Sequence, residues 1–374
     1  MNEPFAIRHD NGRTFATING LPPGGQKHAR PFIIPVFIPS SGCPHRCSFC
    51  NQTAITGVKP YCLSPSAIKP SIRKFLAFVR DRERPVQIAF YGGNFLGVPQ
   101  DEVRALLETA SVYVACGDAA SIRFSTRPDT ITESTLATIR DFPVTTIELG
   151  LQSMDDRVLA RTRRGHNANC AVDAARMVKS AGYELGLQMM TGLPGDTPRG
   201  ALQTAEKFVS LEPDFVRIYP TLVLENSPLA ERFRSGAFIP STMEETIALV
   251  CRLFLKFTAS RIRVIRMGLQ ADDALSSAGT ILAGPYHPAF GERVYSRVFY
   301  RLAVAALVQH HGRHHALGIR VHPRHLSRMI GAGRENISCL KTRFKIENLS
   351  IRADTGITPH HLEVDNPTAP IASR

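Results

Sequence analysis

The chain of 374 residues lacks the features that would place it in a membrane or outside the cytoplasm. Its N-terminus, MNEPFAIRHD, is charged and has no apolar stretch, so no signal peptide is expected. No apolar run is long enough to span a membrane. Five of the eight cysteines stand singly, which does not fit a disulfide framework and favours a reducing cytoplasm. The single cysteines are Cys62, Cys116, Cys170, Cys251 and Cys339.

Acidic residues are scarce in one stretch of this basic chain, whose net charge is +13. From Arg293 to Lys345 there are eleven Lys and Arg residues against one acidic residue, Glu335. Such a block favours a polyanionic partner such as nucleic acid, although a solvated basic face without a partner has the same composition. The histidine-rich run from His310 to His315 fits a metal site or, more simply, a solvated loop.

Three cysteines lie within eight residues: Cys43, Cys47 and Cys50, in the pattern C-x3-C-x2-C. Because the intervening segments are so short, the thiolates converge on one object. A [4Fe-4S] cluster usually takes four cysteines, and no fourth lies at a comparable spacing, so three ligands would leave one iron open. The alternatives are a zinc site that includes His45, and ordinary buried cysteines or a disulfide with a spare thiol.

Short β-rich runs alternate with segments of helical periodicity from residue 31 onwards. This alternation predicts an α/β fold of right-handed βαβ units, and six such units make a partial (β/α)6 barrel. In barrels of this type the chemistry lies at the C-terminal ends of the strands, where the cysteine loop follows the first strand. The predicted strands are residues 32–38, 86–91, 121–125, 145–149, 184–190 and 215–219.

Composition predicts three regions along the chain. Residues 1–30 are expected to be a flexible arm, residues 31–290 the barrel with an extension, and residues 291–374 a smaller basic α+β region. In this last region a helix over 294–311 and strands over 317–321 and 346–351 are expected. Residues 329–340 resemble the core of a KH domain, in which a glycine turn clamps a nucleic-acid backbone; a helix–turn–helix packing unit fits equally well.

Polar or glycine residues follow four successive strands of the predicted barrel. Gly92 and Gly93 follow the second strand, where they form a turn or let a ligand approach the backbone. The ends of the third, fourth and fifth strands carry Ser125 and Arg127, then Glu148 and Gln152, then Gln188. Such residues suit a shared pocket rim, although Arg127 and Glu148 would also suit ion pairs at the barrel mouth.

The cysteine loop, including Phe49 before its last cysteine, resembles the cluster loop of radical S-adenosylmethionine (SAM) enzymes. The segments STRPD, ELGLQS and GLPGDT resemble the radical SAM core of the Elongator catalytic subunit and its bacterial relatives over roughly residues 31–270. A more distant resemblance is to oxygen-independent coproporphyrinogen oxidase. The resemblance implies a [4Fe-4S] cluster, SAM and a reductant such as flavodoxin or ferredoxin. It also implies reductive cleavage of SAM to a 5′-deoxyadenosyl radical that abstracts hydrogen from a substrate.

The resemblance assigns the three cysteines as cluster ligands, and Gly92 and Gly93 as contacts to the methionine part of SAM. Asn94 stands where the family commonly has Glu, and Ser125 replaces an acid of the porphyrinogen branch, which disfavours that activity. An arginine near the SAM carboxylate would bind it bidentately. The polar residues expected around SAM are Ser125, Arg127, Gln152, Arg164 and Gln188.

Three functional hypotheses follow from these patterns. The leading one is a radical SAM enzyme whose substrate is RNA, in particular tRNA, because the C-terminal region is basic. The first alternative is the same chemistry on a small anionic metabolite such as a porphyrinogen. The second is a non-catalytic nucleic-acid-binding protein whose cysteines hold zinc or a structural cluster. The acetyltransferase domain of the Elongator subunit is not expected, because about 100 residues of basic tail leave no room for it.

Overall fold

A computed structural model of the chain describes residues 3–10, 12–21, 31–38, 41–56, 65–81, 83–270, 275, 277, 279–310 and 315–365. The chain divides into two compact units. The barrel unit comprises residues 27–246 and 268–288, and the basic unit comprises residues 1–26, 247–267 and 289–374. Among the described residues no helix is both long and apolar enough to cross a bilayer.

The strands are numbered along the chain. They are β1 (Phe5–Asp10), β2 (Arg13–Ile18), β3 (Phe32–Phe37), β4 (Val86–Tyr91), β5 (Ser121–Thr126), β6 (Val144–Gln152), β7 (Glu184–Thr191), β8 (Phe215–Pro220), β9 (Val223–Leu224), β10 (Arg263–Met267), β11 (Ile281–Ala283), β12 (Ala316–Val321), β13 (Asn348–Ala353) and β14 (His361–Asp365).

The helices are numbered in the same way. They are α1 (Gln52–Thr56), α2 (Pro65–Leu76), α3 (Gln100–Ala115), α4 (Glu133–Ile139), α5 (Asp156–Arg161), α6 (Ala168–Ser180), α7 (Pro198–Ser210), α8 (Pro228–Arg234), α9 (Met243–Ala259), α10 (Phe290–Gln309), α11 (Leu326–Ile330) and α12 (Glu335–Phe344). Single 3-10 turns occur at Phe95–Gly97, Pro128–Thr130, Pro323–His325 and Ala332–Arg334.

The barrel unit confirms the predicted α/β architecture. Strands β3 to β8 are parallel and lie side by side in chain order, with helices between consecutive strands. Buried residues alternate with half-buried ones along β3, where Ile34 and Val36 are buried, as the two-residue period of a strand requires. Behind β4 and β5, the stacked rings of Phe90, Phe95 and Phe124 form part of the apolar core.

Helix starts in the barrel unit follow from local capping chemistry. Asn167 accepts a hydrogen bond from the Cys170 amide and begins α6. Thr197 accepts one from the Gly200 amide and begins α7, with Pro198 at the first helical position. The helical periodicity of the sequence predicts this helix over residues 201–211. The cap and the proline extend the helix by one turn toward β7.

The basic unit is built on a five-stranded sheet in the order β1-β2-β14-β12-β13. All neighbouring pairs are antiparallel except β12 and β13, which are parallel. The prediction of a flexible arm over residues 1–30 is wrong for β1 and β2, and residues 22–30 lie outside the described part. Every second residue of β2 is buried, but two of the three are Thr14 and Ala16, so apolar content alone gives little sign of the strand.

The segment that resembles a KH core forms two short helices, α11 and α12, around Gly331, which has a φ of +81°. Arg334, where the second turn glycine of such a core would stand, is left-handed with a φ of +65°. The buried amide of Asn336 donates to the Met329 carbonyl at 3.2 Å and the Ser296 carbonyl at 3.1 Å. These bonds tie the turn to α10, and the KH-like function stays a prediction.

Within the histidine-rich run, residues 311–314 lie outside the described part of the chain. His310 is buried, and its Nδ1 lies 2.8 Å from Thr14 Oγ1 on β2, so the solvated-loop interpretation is wrong for this residue. His315 is exposed and contacts Glu347 at 3.1 Å.

Candidate active site

The cysteine loop follows the C-terminal end of β3, where the barrel architecture predicts an active site. Cys47 is buried, Cys43 and Cys50 are half-buried, and all three are free thiols. The Ser48 amide donates to the Thr162 carbonyl at 2.9 Å, and the Ser48 carbonyl accepts from the Leu229 amide at 2.8 Å. The loop is therefore fixed from both sides by other parts of the barrel unit.

Two side chains of this loop add to its anchoring. Asn51 Nδ2 donates to the Glu225 carbonyl at 2.6 Å. The ring of Phe49 packs against the buried cluster of Val223, Leu229 and Ala230. Phe49, which the sequence marks only through a resemblance, thus has a structural function next to Cys50. Burying an aromatic ring beside a ligand residue reduces the freedom of the loop.

Gly92 and Gly93 permit a close approach of backbone to backbone. Gly92 has a φ of +96°, and a Cβ on Gly93 would lie 2.3 Å from the Ile38 carbonyl oxygen and 2.7 Å from that of Ser41. These contacts leave no room for a side chain at residue 93. The glycines therefore hold the end of β4 directly against the start of the cysteine loop.

Asn94 connects three segments of the site and is fully buried. Its Oδ1 accepts from Thr126 Oγ1 at 2.7 Å and from the Arg127 amide at 2.9 Å. Its Nδ2 donates to the Gly42 carbonyl at 2.7 Å, in the cysteine loop. A Glu carboxylate could accept but could not donate, so the amide explains how this chain departs from the commonest family pattern.

Three of the predicted SAM-contact residues meet around Gly150. Arg164 Nη1 donates to Cys47 Sγ at 3.3 Å, and its Nη2 donates to the Gly150 carbonyl. Gln188 Nε2 donates to Gln152 Oε1 at 3.3 Å. A Cβ on Gly150 would lie 3.0 Å from Gln152 Nε2 and 3.1 Å from Arg164 Nη2. The fold thus gathers a guanidinium and two amides beside a cysteine of the predicted cluster.

Arg127 is buried and engaged by neighbours. It forms a bidentate pair with Asp129, with both distances 2.8 Å, and donates to the Arg164 carbonyl at 2.5 Å. An ion pair at the barrel mouth is thus confirmed for Arg127, with Asp129 as its partner and not Glu148. Ser125 lies half-buried near the end of β5, opposite Glu148 in the sheet register.

The site contains donors and thiols that suit an anionic group. Arg127 Nη1, Arg164 Nε and His166 Nε2 are buried nitrogen atoms with no hydrogen-bond partner in the part of the chain that the structure describes. Burial, and next Arg164, lower the pKa of His166 to about 4, so its ring is neutral at pH 7. Sequence reasoning missed His166, although it lies two residues after Arg164, a predicted contact to SAM. The neutral ring of His166 donates through Nδ1 to the Asn167 carbonyl, so its Nε2 is an acceptor. The two guanidinium donors are costly when buried and unpaired, and they point to an acceptor-rich ligand.

The thiols themselves are electrostatically coupled. Burial raises the pKa of Cys50 to about 12, and Cys47 and Cys43 add to the shift. Burial likewise raises the pKa of Cys43. Within the described residues no three His, Cys, Asp or Glu side chains converge on a point that suits a single ion. A cubane cluster binds each thiolate at a different iron and requires no such convergence. The residues present fit that group.

A second polar cluster lies on the same sheet and confirms the ion-pair interpretation of Glu148, although the sequence did not indicate its partners Arg123 and Arg217. Glu148 is buried between Arg123, at 2.7 Å, and Arg217, at 2.6 Å, and accepts from the Tyr91 hydroxyl at 2.9 Å. Burial opposes ionisation, but the two guanidinium groups outweigh it and hold the pKa of Glu148 below its usual value. The three charged groups leave a net charge of about +1 on this face.

The family model of the radical SAM superfamily matches residues 37–208, and that of the Radical_SAM C-terminal domain matches residues 213–299. This chain belongs to the radical SAM superfamily. The predicted resemblance is therefore confirmed, and membership identifies the chain as an enzyme. In this radical SAM protein the cysteine loop lies in the segment matched by the first model. The same segment contains Gln152, Arg164 and Gln188, the side chains around Gly150.

Several curated proteins are similar to this radical SAM protein. An uncharacterized protein of Methanocaldococcus jannaschii is 26% identical over 245 residues, which cover 63% of this chain and 74% of that protein. The tRNA uridine(34) acetyltransferase of Dehalococcoides mccartyi is 26% identical over 230 residues, or 53% of this chain and 50% of that enzyme. The Drosophila melanogaster Elongator complex protein 3 is 25% identical over 288 residues, or 63% and 51%. The chain spans about half the length of the last two relatives.

The solved structure of the archaeal Elp3 of Methanocaldococcus infernus is similar in fold. Its TM-score is 0.56 at 20% sequence identity, over 72% of this chain and 63% of that one. At this identity the likeness supports the shared fold alone, and agrees with the predicted partial barrel.

Proposed function

We propose that this enzyme binds a [4Fe-4S] cluster through Cys43, Cys47 and Cys50 and cleaves SAM reductively. When bound, the cluster supplies the electron for that cleavage, and the resulting 5′-deoxyadenosyl radical abstracts hydrogen from a substrate. The observation that supports this proposal most strongly is the position of Arg164. Its guanidinium contacts the Cys47 sulfur and lies next to the amides of Gln152 and Gln188.

These side chains have the chemistry that SAM requires. The Arg164 guanidinium provides donors for a carboxylate, and the two amides can donate to or accept from ribose hydroxyls. Gly92 and Gly93 keep side chains away from the methionine part, and Ser125 and Arg127 lie at the neighbouring strand end. Because Arg127 is held by Asp129, it acts by fixing the loop that carries Arg164.

For the substrate we propose RNA, with tRNA as the leading candidate. Two of the relatives named above are a tRNA uridine(34) acetyltransferase and an Elongator subunit, and the C-terminal region is basic. A small anionic metabolite such as a porphyrinogen is the second candidate, and the net positive cluster around Glu148 favours an anion. The proposal includes a cytoplasmic location and reduction by a flavodoxin or ferredoxin.

The test is anaerobic reconstitution with iron and sulfide, followed by SAM, dithionite and quantification of 5′-deoxyadenosine by mass spectrometry. Wild-type protein should form 5′-deoxyadenosine, and Cys47→Ala should form none. Cys170→Ser, a half-buried single cysteine, is the matched control and should retain activity. A colourless, zinc-loaded protein that leaves SAM intact would contradict the proposal and favour a zinc-containing binding protein.

A further inference from the structure

The basic unit carries almost all of the net charge of the chain. It holds 20 of the 45 Lys and Arg residues but only 8 of the 32 Asp and Glu residues, which gives +12 of the total +13. The barrel unit holds the other 25 basic and 24 acidic residues and is nearly neutral. A polyanionic partner is therefore expected to bind the basic unit. The nearly neutral barrel unit, which carries the three cysteines, contributes little to the net charge of the chain.

Among the described residues of this unit, five acidic side chains already contact a cation or a histidine. They therefore do little to offset the arginines elsewhere on the surface. The pairs are Arg320 with Asp354, Glu363 and Asp365, Arg328 with Glu292, and His315 with Glu347.

Helix α10 presents an apolar stripe on the surface of the same unit. Tyr300, Val304 and Val308 recur every four residues and so share one helix face. Val308 is 66% exposed. Tyr300 and Val304 line a groove of about 370 Å³, together with Pro4 and Phe5 at the start of β1. The groove therefore has two aromatic residues and an apolar floor.

Two guanidinium groups border this groove. Arg301 comes from α10, where it hydrogen-bonds to the Cys251 thiol of α9, and Arg343 comes from α12. Arg343 is exposed, and its guanidinium carbon lies 5.7 Å from the centre of the Phe344 ring. Among the described residues, those that line the groove include no acidic side chain. Aromatic surface next to fixed cations matches a nucleic-acid base with its adjoining phosphates, because bases stack whatever their sequence.

We propose that this groove binds single-stranded nucleic acid. A base packs against Tyr300 and Phe5, and the neighbouring phosphates contact Arg301 and Arg343. The choice of RNA as the strand rests on the proposed function. The groove residues belong to the basic unit, whereas the three cysteines belong to the barrel unit. An acidic peptide would use the arginines but would gain little from the aromatic side chains.

The test uses full-length protein and a fluorescein-labelled single-stranded oligouridine, followed by fluorescence anisotropy between about 50 and 200 mM salt. The variant carries Tyr300→Ala and Arg343→Gln. Its affinity should fall about tenfold or more, because base stacking and a phosphate contact are both lost. The slope of log affinity against log salt should become shallower by about 0.7, the value for one single-strand phosphate contact.

A matched control removes the same kinds of side chain from the barrel unit. Phe78→Ala with Arg80→Gln deletes an exposed phenylalanine and an exposed arginine and should change the affinity by less than about twofold. Arg343→Gln alone, at an exposed position that tolerates substitution, should give part of the loss. Unchanged RNA binding by both groove variants would overturn the proposal. So would groove-dependent binding of a polyglutamate peptide as tight as that of the oligouridine.

The same variants separate this inference from the proposed reaction. In the absence of RNA, the groove variant should form 5′-deoxyadenosine at the wild-type rate, because it leaves the cysteine loop and Arg164 intact. If wild-type protein binds RNA through the groove but does not cleave SAM, the reaction fails and the groove assignment holds. If SAM is cleaved but oligouridine binds groove variant and wild type equally, the groove assignment fails alone.

Discussion

At the scale of single residues, the site depends on side chains whose hydrogen-bonding chemistry allows few replacements. Asn94 both accepts from the Arg127 amide and donates to the Gly42 carbonyl, which an ionised carboxylate cannot do. Arg164 joins Cys47 to Gly150 through two nitrogens of one guanidinium. A lysine would present one point charge in place of two directed donors.

Asp196, in the loop after β7, should make stability depend on pH. Burial raises the pKa of its carboxyl to about 6, so the folded state holds a proton that the unfolded state loses near pH 4. The free energy of unfolding should therefore fall as pH rises from about 4 to about 6, by at most about 3 kcal/mol. Asp196→Asn keeps the acceptor for the Thr197 amide and removes this loss.

Urea unfolding from pH 4 to pH 8 checks this expectation. Asp196→Asn should exceed the wild type in stability above pH 6 and converge with it near pH 4. The exposed control Asp118→Asn should show no such divergence. A stability difference that is constant with pH would contradict the assignment of the titration to Asp196.

At the scale of elements, a close approach between backbone segments fixes the cysteine loop against the segment that follows β4. Gly42, next to Cys43, has a φ of +69°. A Cβ there would lie 2.3 Å from the Asn94 carbonyl oxygen and 2.6 Å from the Val98 nitrogen. Such backbone atoms cannot move away as a flexible side chain can. The loop is positioned by packing as well as by hydrogen bonds.

Gly42→Ala should therefore lower the free energy of unfolding by more than the left-handed backbone conformation alone explains. Gly117 is the matched control, since its φ is +79° and a Cβ there would meet nothing within 4 Å. Gly117→Ala should lower the free energy of unfolding by only about 1 kcal/mol, the cost of a left-handed conformation for a residue with a Cβ. Gly42→Ala should lose more stability than Gly117→Ala, and it should bind less iron per chain after reconstitution. Equal losses of stability and iron in both variants would contradict the packing argument.

The polar cluster around Glu148 joins β4, β5, β6 and β8 through side chains that share one carboxylate. Glu148→Gln should destabilise the barrel by about 3 kcal/mol or more, because two buried guanidinium groups would lose their counter-charge. Denaturant unfolding at pH 7 measures this loss, and Glu108→Gln on the exposed face of α3 is the control. A loss within about 0.5 kcal/mol would mean that solvent already screens the cluster.

At the scale of the whole molecule, charge and chemistry are divided between two units. The barrel unit holds the thiols and the polar constellation, and the basic unit holds nearly all of the net charge. The charge near the cysteines therefore arises from a few buried groups, and the charge that would attract a polyanion arises elsewhere. We therefore expect separate mutations to alter the proposed binding of a polyanion and the proposed reaction.

Removal of iron should lower the thermal stability of the chain, because a ligand that binds only the folded state stabilises it. A chelator should lower the melting temperature of reconstituted protein by about 5 °C or more, measured by calorimetry. The same treatment of Cys47→Ala should change it little, and Cys170→Ser should behave as the wild type. No shift in the wild type would show that the cluster adds nothing to folding.

The sequence by itself predicted the parallel barrel and the cysteine loop, because both are local patterns. The period of the apolar residues within a segment predicts whether that segment is a strand or a helix. The three cysteines lie within eight residues, so their spacing can be read directly from the sequence. The polar residues at the strand ends could also be located from the sequence, because each directly follows or ends a predicted strand. The first sheet strands, β1 and β2, were missed because Thr14 and Ala16 are weak signals of burial.

Tertiary structure alone decided which distant residues meet. Arg164 contacts a cysteine 117 positions away, and Asn94 reaches Gly42 across 52. Glu148 pairs with Arg123, 25 positions away, and with Arg217, 69 positions away. Each of these hydrogen bonds forms because the parallel strands bring the residues at their ends close together. The periodicity of one segment does not specify which residue of another segment it will contact. The groove formed by β1, α10 and α12 has the same origin.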